Sequence, residues 1–288
     1  VKRHFWISLL AAVGLALPLP SRAVVPYTPT IDFVTLREQG IALAQQAAQL
    51  IQFQQFPLAQ RYASLAAQLA PDDYRVWLVL ADTDLRTNDI DGAIVSLNKA
   101  ESLGAKDPAI QFALGTAYIR KKEYDKAIAQ IRAGLAVKPN SPAALFDLGN
   151  AFLLQGKSTD ALSTFGKAVQ LKADFWEAIN NMGIVSYEEG KTQAALDYWQ
   201  RAITLSKKAA EPVLARASAL YQEGQREEAI AQAKEALQSD GQYADIAFLK
   251  DQLWGKRLIQ ATEELFKDPK LQQVVQDARL SSKSNGGG

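Results

Sequence analysis

The stretch PAALFDLGNAFLLQGKSTDALSTFGKA, residues 142–168, decides the fold. Its apolar residues do not alternate. Leu145, Leu148 and Phe152 lie before Gln155-Gly156-Lys157, and Ala161, Phe165 and Ala168 lie after it, all at steps of three, four or seven. That spacing marks one face of a helix on each side. A glycine between the two runs suits a left-handed residue that closes the first helix. The segment predicts two antiparallel helices of about three to four turns joined by a tight turn.

The same unit repeats. From Ala59, steps of 34 reach Ala93, Ala127, Ala161, Ala195 and Ala229 without a gap. Seven residues after each stand Ala66, Ala100, Gly134, Ala168, Ala202 and Ala236. Twelve before each stand Ala47, Ala81, Gly115, Gly149, Gly183 and Ala217. Three columns of small residues held in register define six copies: 40–73, 74–107, 108–141, 142–175, 176–209 and 210–243. Small residues let helix axes approach, and the bulky neighbours fill the space between. One hairpin cannot bury its apolar face alone, so the copies must stack.

The spacing resembles the tetratricopeptide pattern of Leu-Gly, then an aromatic, then Ala, an apolar residue and Pro. Copy three carries Leu114-Gly115, Tyr118, Ala127, Ile131, Gly134 and Pro139. Copy four carries Leu148-Gly149, Phe152, Ala161, Phe165 and Ala168, and copy five Met182-Gly183, Ala195, Trp199 and Ala202. The terminal proline of the pattern stands only at Pro71 and Pro139, and copies one and six have weak first helices, with Gln46 and Arg216 where Leu is usual. The resemblance implies an all-α, right-handed α-solenoid of six tandem hairpins. A region 244–280, with apolar residues at Phe248, Leu249, Leu253 and Trp254, reads as helices capping the open end of copy six. Residues 24–39 read as a linker and lead-in, and 281–288 as a disordered tail.

The resemblance also implies a concave groove lined by the first helix of each copy, suited to gripping a peptide or an amphipathic segment of a partner protein. The corresponding positions here are Arg75, Leu78, Arg86, Phe112, Ile119, Arg120, Phe146, Asn150, Leu153, Asn180, Asn181, Tyr187 and Tyr221, with Glu177, Glu188 and Glu211 toward the far end. An asparagine amide donates and accepts, so it can hold a peptide backbone of any sequence. Phe146, Glu211 and Ala215 stand where tail-binding relatives place bases, which argues against a carboxylate clamp. The aromatic residues could equally pack between copies, and the arginines could be solvated.

Composition narrows the chemistry. The chain has no cysteine, and its one histidine, His4, lies in the leader. The commonest general base, metal ligand and nucleophile are therefore missing from the remainder. No phosphate loop or metal spacing is present, so no enzyme activity, cofactor or metal is expected, with carboxylate-only chemistry as the remaining catalytic option. Residues 1–23 combine Lys2, Arg3 and His4 with an apolar run from Phe5 to Leu17 and a Ser21-Arg22-Ala23 end. This predicts a signal peptide cleaved after Ala23 and export to a periplasm or thylakoid lumen. An uncleaved leader that anchors the protein to the membrane is the alternative. Val1 in place of Met suggests a bacterial or plastid gene with a non-ATG start. Loss of the leader removes Lys2, Arg3 and Arg22, leaving 29 bases against 31 acids, so no nucleic-acid partner is expected. The expected partners are other proteins. The chain also loosely resembles cyanobacterial and plastid repeat proteins that assist assembly of photosynthetic complexes. A self-associating protein using the C-terminal helices is the rival reading.

Overall fold

The computed structural model describes residues 32–104 and 107–285. The leader 1–23 and the lead-in up to Ile31 lie outside the described residues. Six helical hairpins follow one another: α1 (Phe33–Gln52) with α2 (Phe56–Leu69), α3 (Tyr74–Arg86) with α4 (Ile90–Ser102), α5 (Pro108–Arg120) with α6 (Tyr124–Val137), α7 (Pro142–Leu154) with α8 (Ser158–Leu171), α9 (Trp176–Glu188) with α10 (Thr192–Leu205), and α11 (Ala210–Gln222) with α12 (Arg226–Ser239). A 3-10 turn (Gly241–Ala244), a short α13 (Ile246–Asp251), α14 (Lys256–Phe266) and α15 (Gln272–Asn285) complete the chain. The hairpins stack into a right-handed α-solenoid, each packing on the next.

Local chemistry sets the helix ends. The carboxylates of Asp32, Asp73 and Asp107 and the hydroxyl of Ser141 accept hydrogen bonds from first-turn backbone N–H groups, and Pro108 and Pro142 open α5 and α7. The turn inside each hairpin places one residue at positive φ, and these residues keep the 34-residue step: Gln54 (59°), Asn88 (64°), Lys122 (63°), Gly156 (73°), Gly190 (81°) and Gly224 (80°). Only the last three copies use glycine, the residue that adopts this conformation without steric cost.

Packing inside the hairpins explains the small-residue columns. Each small residue on a first helix faces the residue 16 positions later on the second. A Cβ on Gly115 would collide with Ile131, and one on Gly149 with the Phe165 ring; on Gly183 it would stand 2.5 Å from Trp199 Nε1. Ala81 and Leu97, at the same spacing, share one buried cluster, and the largest partners, Phe165 and Trp199, stand opposite glycine. The resulting core runs along the solenoid as successive clusters, with Leu97, Ile131, Phe165 and Trp199 fully buried.

Three sequence expectations change. Helix α1 starts at Phe33, inside the expected lead-in, because Asp32 caps Val34 and Thr35 and the helical pattern runs on from there. Helix α15 continues through Asn285, so 281–285 are helical and not a disordered tail; Val275 and Ala278 bury its inner face behind buried Leu271, and no Gly or Pro interrupts it. Residues 286–288 lie outside the described residues.

The third change concerns the C-terminal cap. Helix α15 and the 3-10 turn do cover α12 at the end of the solenoid. Helix α14 does not. It lies across α11 and α9, on the first-helix positions that line the concave face. Leu258, Ile259, Ala261, Leu265 and Phe266 bury one face of it in the same core as Ile184 and Leu214. A strongly amphipathic helix buries its apolar face wherever the largest apolar surface is open to it, and here that surface is the groove.

Candidate protein-binding groove

Helix α14 divides the groove into a filled part and an open part. In copies five and six the concave positions toward the ends of α9 and α11 (Tyr187, Glu188, Ser218 and Tyr221) are committed to it and to the segment after it, while Glu177, Asn181 and Glu211 nearer their starts border the open part. Glu188 accepts hydrogen bonds from the backbone N–H groups of Arg257 (3.0 Å) and Leu258 (2.9 Å), capping the start of α14. The Arg257 guanidinium stacks over the Tyr187 ring at 4.2 Å from its centroid. Ser218 and Thr262 share a buried hydroxyl hydrogen bond of 2.8 Å. The Tyr221 hydroxyl donates to Asp268 at 3.1 Å, and Arg226 Nε reaches the same oxygen at 2.5 Å. The Arg226 guanidinium holds the Asp268 carboxyl down at about 2.

The candidate groove residues therefore separate. Tyr187 is buried beneath Arg257 at the start of α14, and Tyr221, partly buried, is bonded through its hydroxyl to Asp268 just after that helix. Asn180 is wholly buried; its amide donates to Asn181 Oδ1 (3.2 Å), and Asn181 in turn donates to Asn150 Oδ1 (2.9 Å). The three arginines are engaged locally: Arg75 with Asp73, Arg86 with Asp82, and Arg120 with the Leu85 carbonyl at the end of α3. Phe112 presses its ring against Gly134, and Leu78 and Leu153 are half-buried against the core. In copies two to four the first helices have no α14 above them, so these positions stay partly accessible.

Four of the candidates come together. Ile119, Phe146, Asn150 and Asn181 line one cleft of about 390 Å³. Leu154, Trp176, Glu177 and Glu211 extend its floor, and the C-terminal segment closes one side with Tyr243, Asp251, Gln252 and Leu253. The Phe146 ring sits 5.2 Å from Phe175 and 5.8 Å from Phe165, so it belongs at once to the inter-repeat core and to the cleft wall. The residues from 243 to 253 were not foreseen as part of the groove. In the sequence, Leu253 reads only as part of helices capping the open end of copy six.

Buried acids mark this region. Trp254 Nε1 donates to Glu211 Oε1 at 3.0 Å. Burial pushes the Glu211 carboxyl up to about 7, against the hydrogen bonds from Trp254 and Asn180, and the nearby Glu177 raises it further. Burial likewise raises Asp147, on α7, to about 6, while the Thr116 hydroxyl, donating at 3.2 Å, opposes the shift. Burial and the charges of Glu211 and Asp240 raise the Tyr243 phenol. Among the described residues no group of three acids or histidines could hold a metal ion, and no helix is long and apolar enough to cross a membrane.

A superhelix of hairpins with a partly open concave face defines a helical-repeat scaffold fold. Comparison with known proteins supplies the family. A tetratricopeptide-repeat family model matches residues 112–174 and 180–245, and the chain is a tetratricopeptide-repeat protein. A model of ChAPs, the Chs5p-Arf1p-binding proteins, matches residues 34–101. No curated protein sequence matches the chain. Among solved structures, PilF of Pseudomonas aeruginosa is similar with a TM-score of 0.61 at 16% identity, over 80% of this chain and 99% of PilF. PilW, a type IV pilus biogenesis factor, gives 0.62 at 17% identity, over 76% of this chain and 96% of PilW. YrrB, a tetratricopeptide protein with an unusual peptide-binding site, gives 0.50 at 18% identity, over 62% of this chain and 93% of YrrB. At these identities the likeness is one of fold.

Proposed function

We propose that this protein is an exported scaffold that holds a segment of a partner protein in the open part of its groove, at the cleft reached from copies three to six, in assembly of an envelope or thylakoid membrane complex. The observation that carries the reading is the cleft at Ile119, Phe146, Asn150 and Asn181, where apolar walls meet side-chain amides on a concave surface. The groove's occupation by α14 supports it, because the same face in copies five and six takes an amphipathic helix. The peptide-binding site of YrrB and the pilus-biogenesis role of PilW are properties of those proteins; they lend the reading a precedent in the same fold. Export rests on the composition of residues 1–23. Apart from exposed Leu280, the main apolar residues of α14 and α15 are buried within the chain, which favours a groove partner over self-association through them.

A photo-crosslinking residue placed at Ile119 tests this, with a second placed at exposed Val137 on α6 as the control. Illumination in the native host should give discrete adducts from position 119 and none of the same size from 137. Identical adducts from both, or none from 119, would remove the groove reading. N-terminal sequencing of the purified protein decides whether the leader is cleaved after Ala23.

A further inference from the structure

We propose that the cleft receives a basic side chain, Lys or Arg, from the bound partner segment. This deepens the groove reading and rests on it. Three carboxylates line the cleft, Glu177 on α9, Glu211 on α11 and Asp251 at the end of α13, and none of them forms an ion pair within the described residues. A fourth acid, Asp147, stands one turn before Asn150 on α7 and has only the Thr116 hydroxyl as partner. Other acids of the concave face are answered from within the chain. Asp82 has Arg86, Asp268 has Arg226, and Glu188 has two backbone N–H groups of α14. Asp84, which also has no cation beside it, is buried away from the cleft against Gln60 and Ser96; the acids without an ionic partner that line the opening are Glu177, Glu211 and Asp251.

Burying acids without a counter-charge is unfavourable, and a cation supplied from outside reverses the sign of that interaction. Glu211 is more than nine-tenths buried, yet it still borders the cleft. The walls fit a basic side chain and not a bare ion. The rings of Phe146, Trp176 and Tyr243 line the same cleft as the acids and offer π faces to a cation. The acids do not converge as a metal-binding group would. The aliphatic stem of Lys or Arg can lie along Ile119 and Leu154 while its head reaches the carboxylates. Asn150 and Asn181 are placed to hold the backbone that carries it.

The test pans a phage library of random dodecapeptides against the full chain at pH 8, then measures the affinities of synthesised winners. Groove-dependent peptides, defined as those lost on Ile119→Trp, a neutral change that fills the cleft, should share one fixed position enriched in Lys or Arg. Replacing that residue by norleucine should weaken binding at least tenfold, and replacing Arg by Lys or citrulline separates shape from charge. Glu177→Gln with Glu211→Gln should cause a similar loss and abolish the discrimination. The glutamine at 211 keeps an acceptor for Trp254, and Asp251→Asn, at an exposed site, provides a variant that leaves the buried groups alone. Groove-dependent peptides with no basic position, or affinities unmoved by all three substitutions, would overturn the basic-residue assignment and leave the groove reading standing. No groove-dependent peptide at all would overturn both.

Discussion

The Glu188 side chain lies so close to Gly255 that no Cβ fits between them, and from that position its carboxylate caps α14 across the groove. A residue on the fifth first helix thus fixes where the C-terminal segment turns into the concave face. The contact joins the repeat array to an element outside the repeat.

Glu188→Ala should leave the N–H groups of Arg257 and Leu258 without a partner and cost about 1 kcal/mol, the usual worth of a helix cap. Gly255→Ala should cost a similar amount by pushing Glu188 away. The two should not add, because once Glu188→Ala has removed the glutamate side chain the new methyl group at 255 no longer meets it. Urea unfolding of the two single variants and the double variant checks this. Additive losses would mean that Gly255 matters for its backbone conformation instead.

Stability should fall on both sides of about pH 4. Glu211 ionises near 4.5 when unfolded and about 7 when folded. Its contribution is complete below pH 4.5 and is lost as pH rises to about 7; Asp147, raised from 3.8 to about 6, acts with the same sign. The Glu211 shift corresponds to about 3 kcal/mol at most. Asp268 has the opposite sign, since its folded value is about 2: its contribution is present above 3.8 and lost as pH falls through 2. Urea midpoints from pH 2 to 8 should show both limbs. Glu211→Gln should flatten the upper limb, and Asp268→Asn the lower.

Lys122 occupies the left-handed position that Gly156, Gly190 and Gly224 fill in later copies. Lys122→Gly should stabilise the protein by about 1 kcal/mol, the approximate penalty of a side chain in that conformation less glycine's extra chain entropy. Asn88→Gly should gain less, because asparagine tolerates positive φ. Thermal melts of the two variants rank them. A destabilised Lys122→Gly would point to a side-chain contact of Lys122 in solution.

Gly149→Leu should overpack the hairpin against Phe165 and cost about 1–3 kcal/mol. Phe165→Ala is destabilising alone but should recover part of the loss when combined with it, since the cavity it leaves can take the new side chain. Calorimetry of the two single variants and the pair measures the coupling. An unchanged melting temperature in Gly149→Leu would refute the register.

Much of the array is legible because each part is local. The step of 34 residues sets the hairpins, and the turn column appears in sequence wherever glycine fills it. Gln54, Asn88 and Lys122 show the limit, since nothing in those residue types announces a positive φ. The candidate site was legible only in part. Ile119, Phe146, Asn150 and Asn181 do share a cleft. Tyr187 and Tyr221 occupy equivalent repeat positions but are engaged by the C-terminal segment, Tyr187 by Arg257 and Tyr221 by Asp268, and Arg75, Arg86 and Arg120 are held by neighbours in their own chain. Repeat position assigns a residue to the concave face, but it does not say what covers that face.

The sequence by itself determined the unit, its length, its helical character and the small-residue columns that pack the two helices of each hairpin together. These follow from contacts within a hairpin or between neighbouring hairpins, and a fixed period records them. Only the tertiary structure decided how much groove remains. Helix α14 carries an apolar face that could have covered the end of α12 as readily as the concave side. Its destination depended on contacts spanning tens of residues, Glu188 with Leu258, Glu211 with Trp254 and Tyr221 with Asp268. Such pairings leave no period in a sequence, because each is made once.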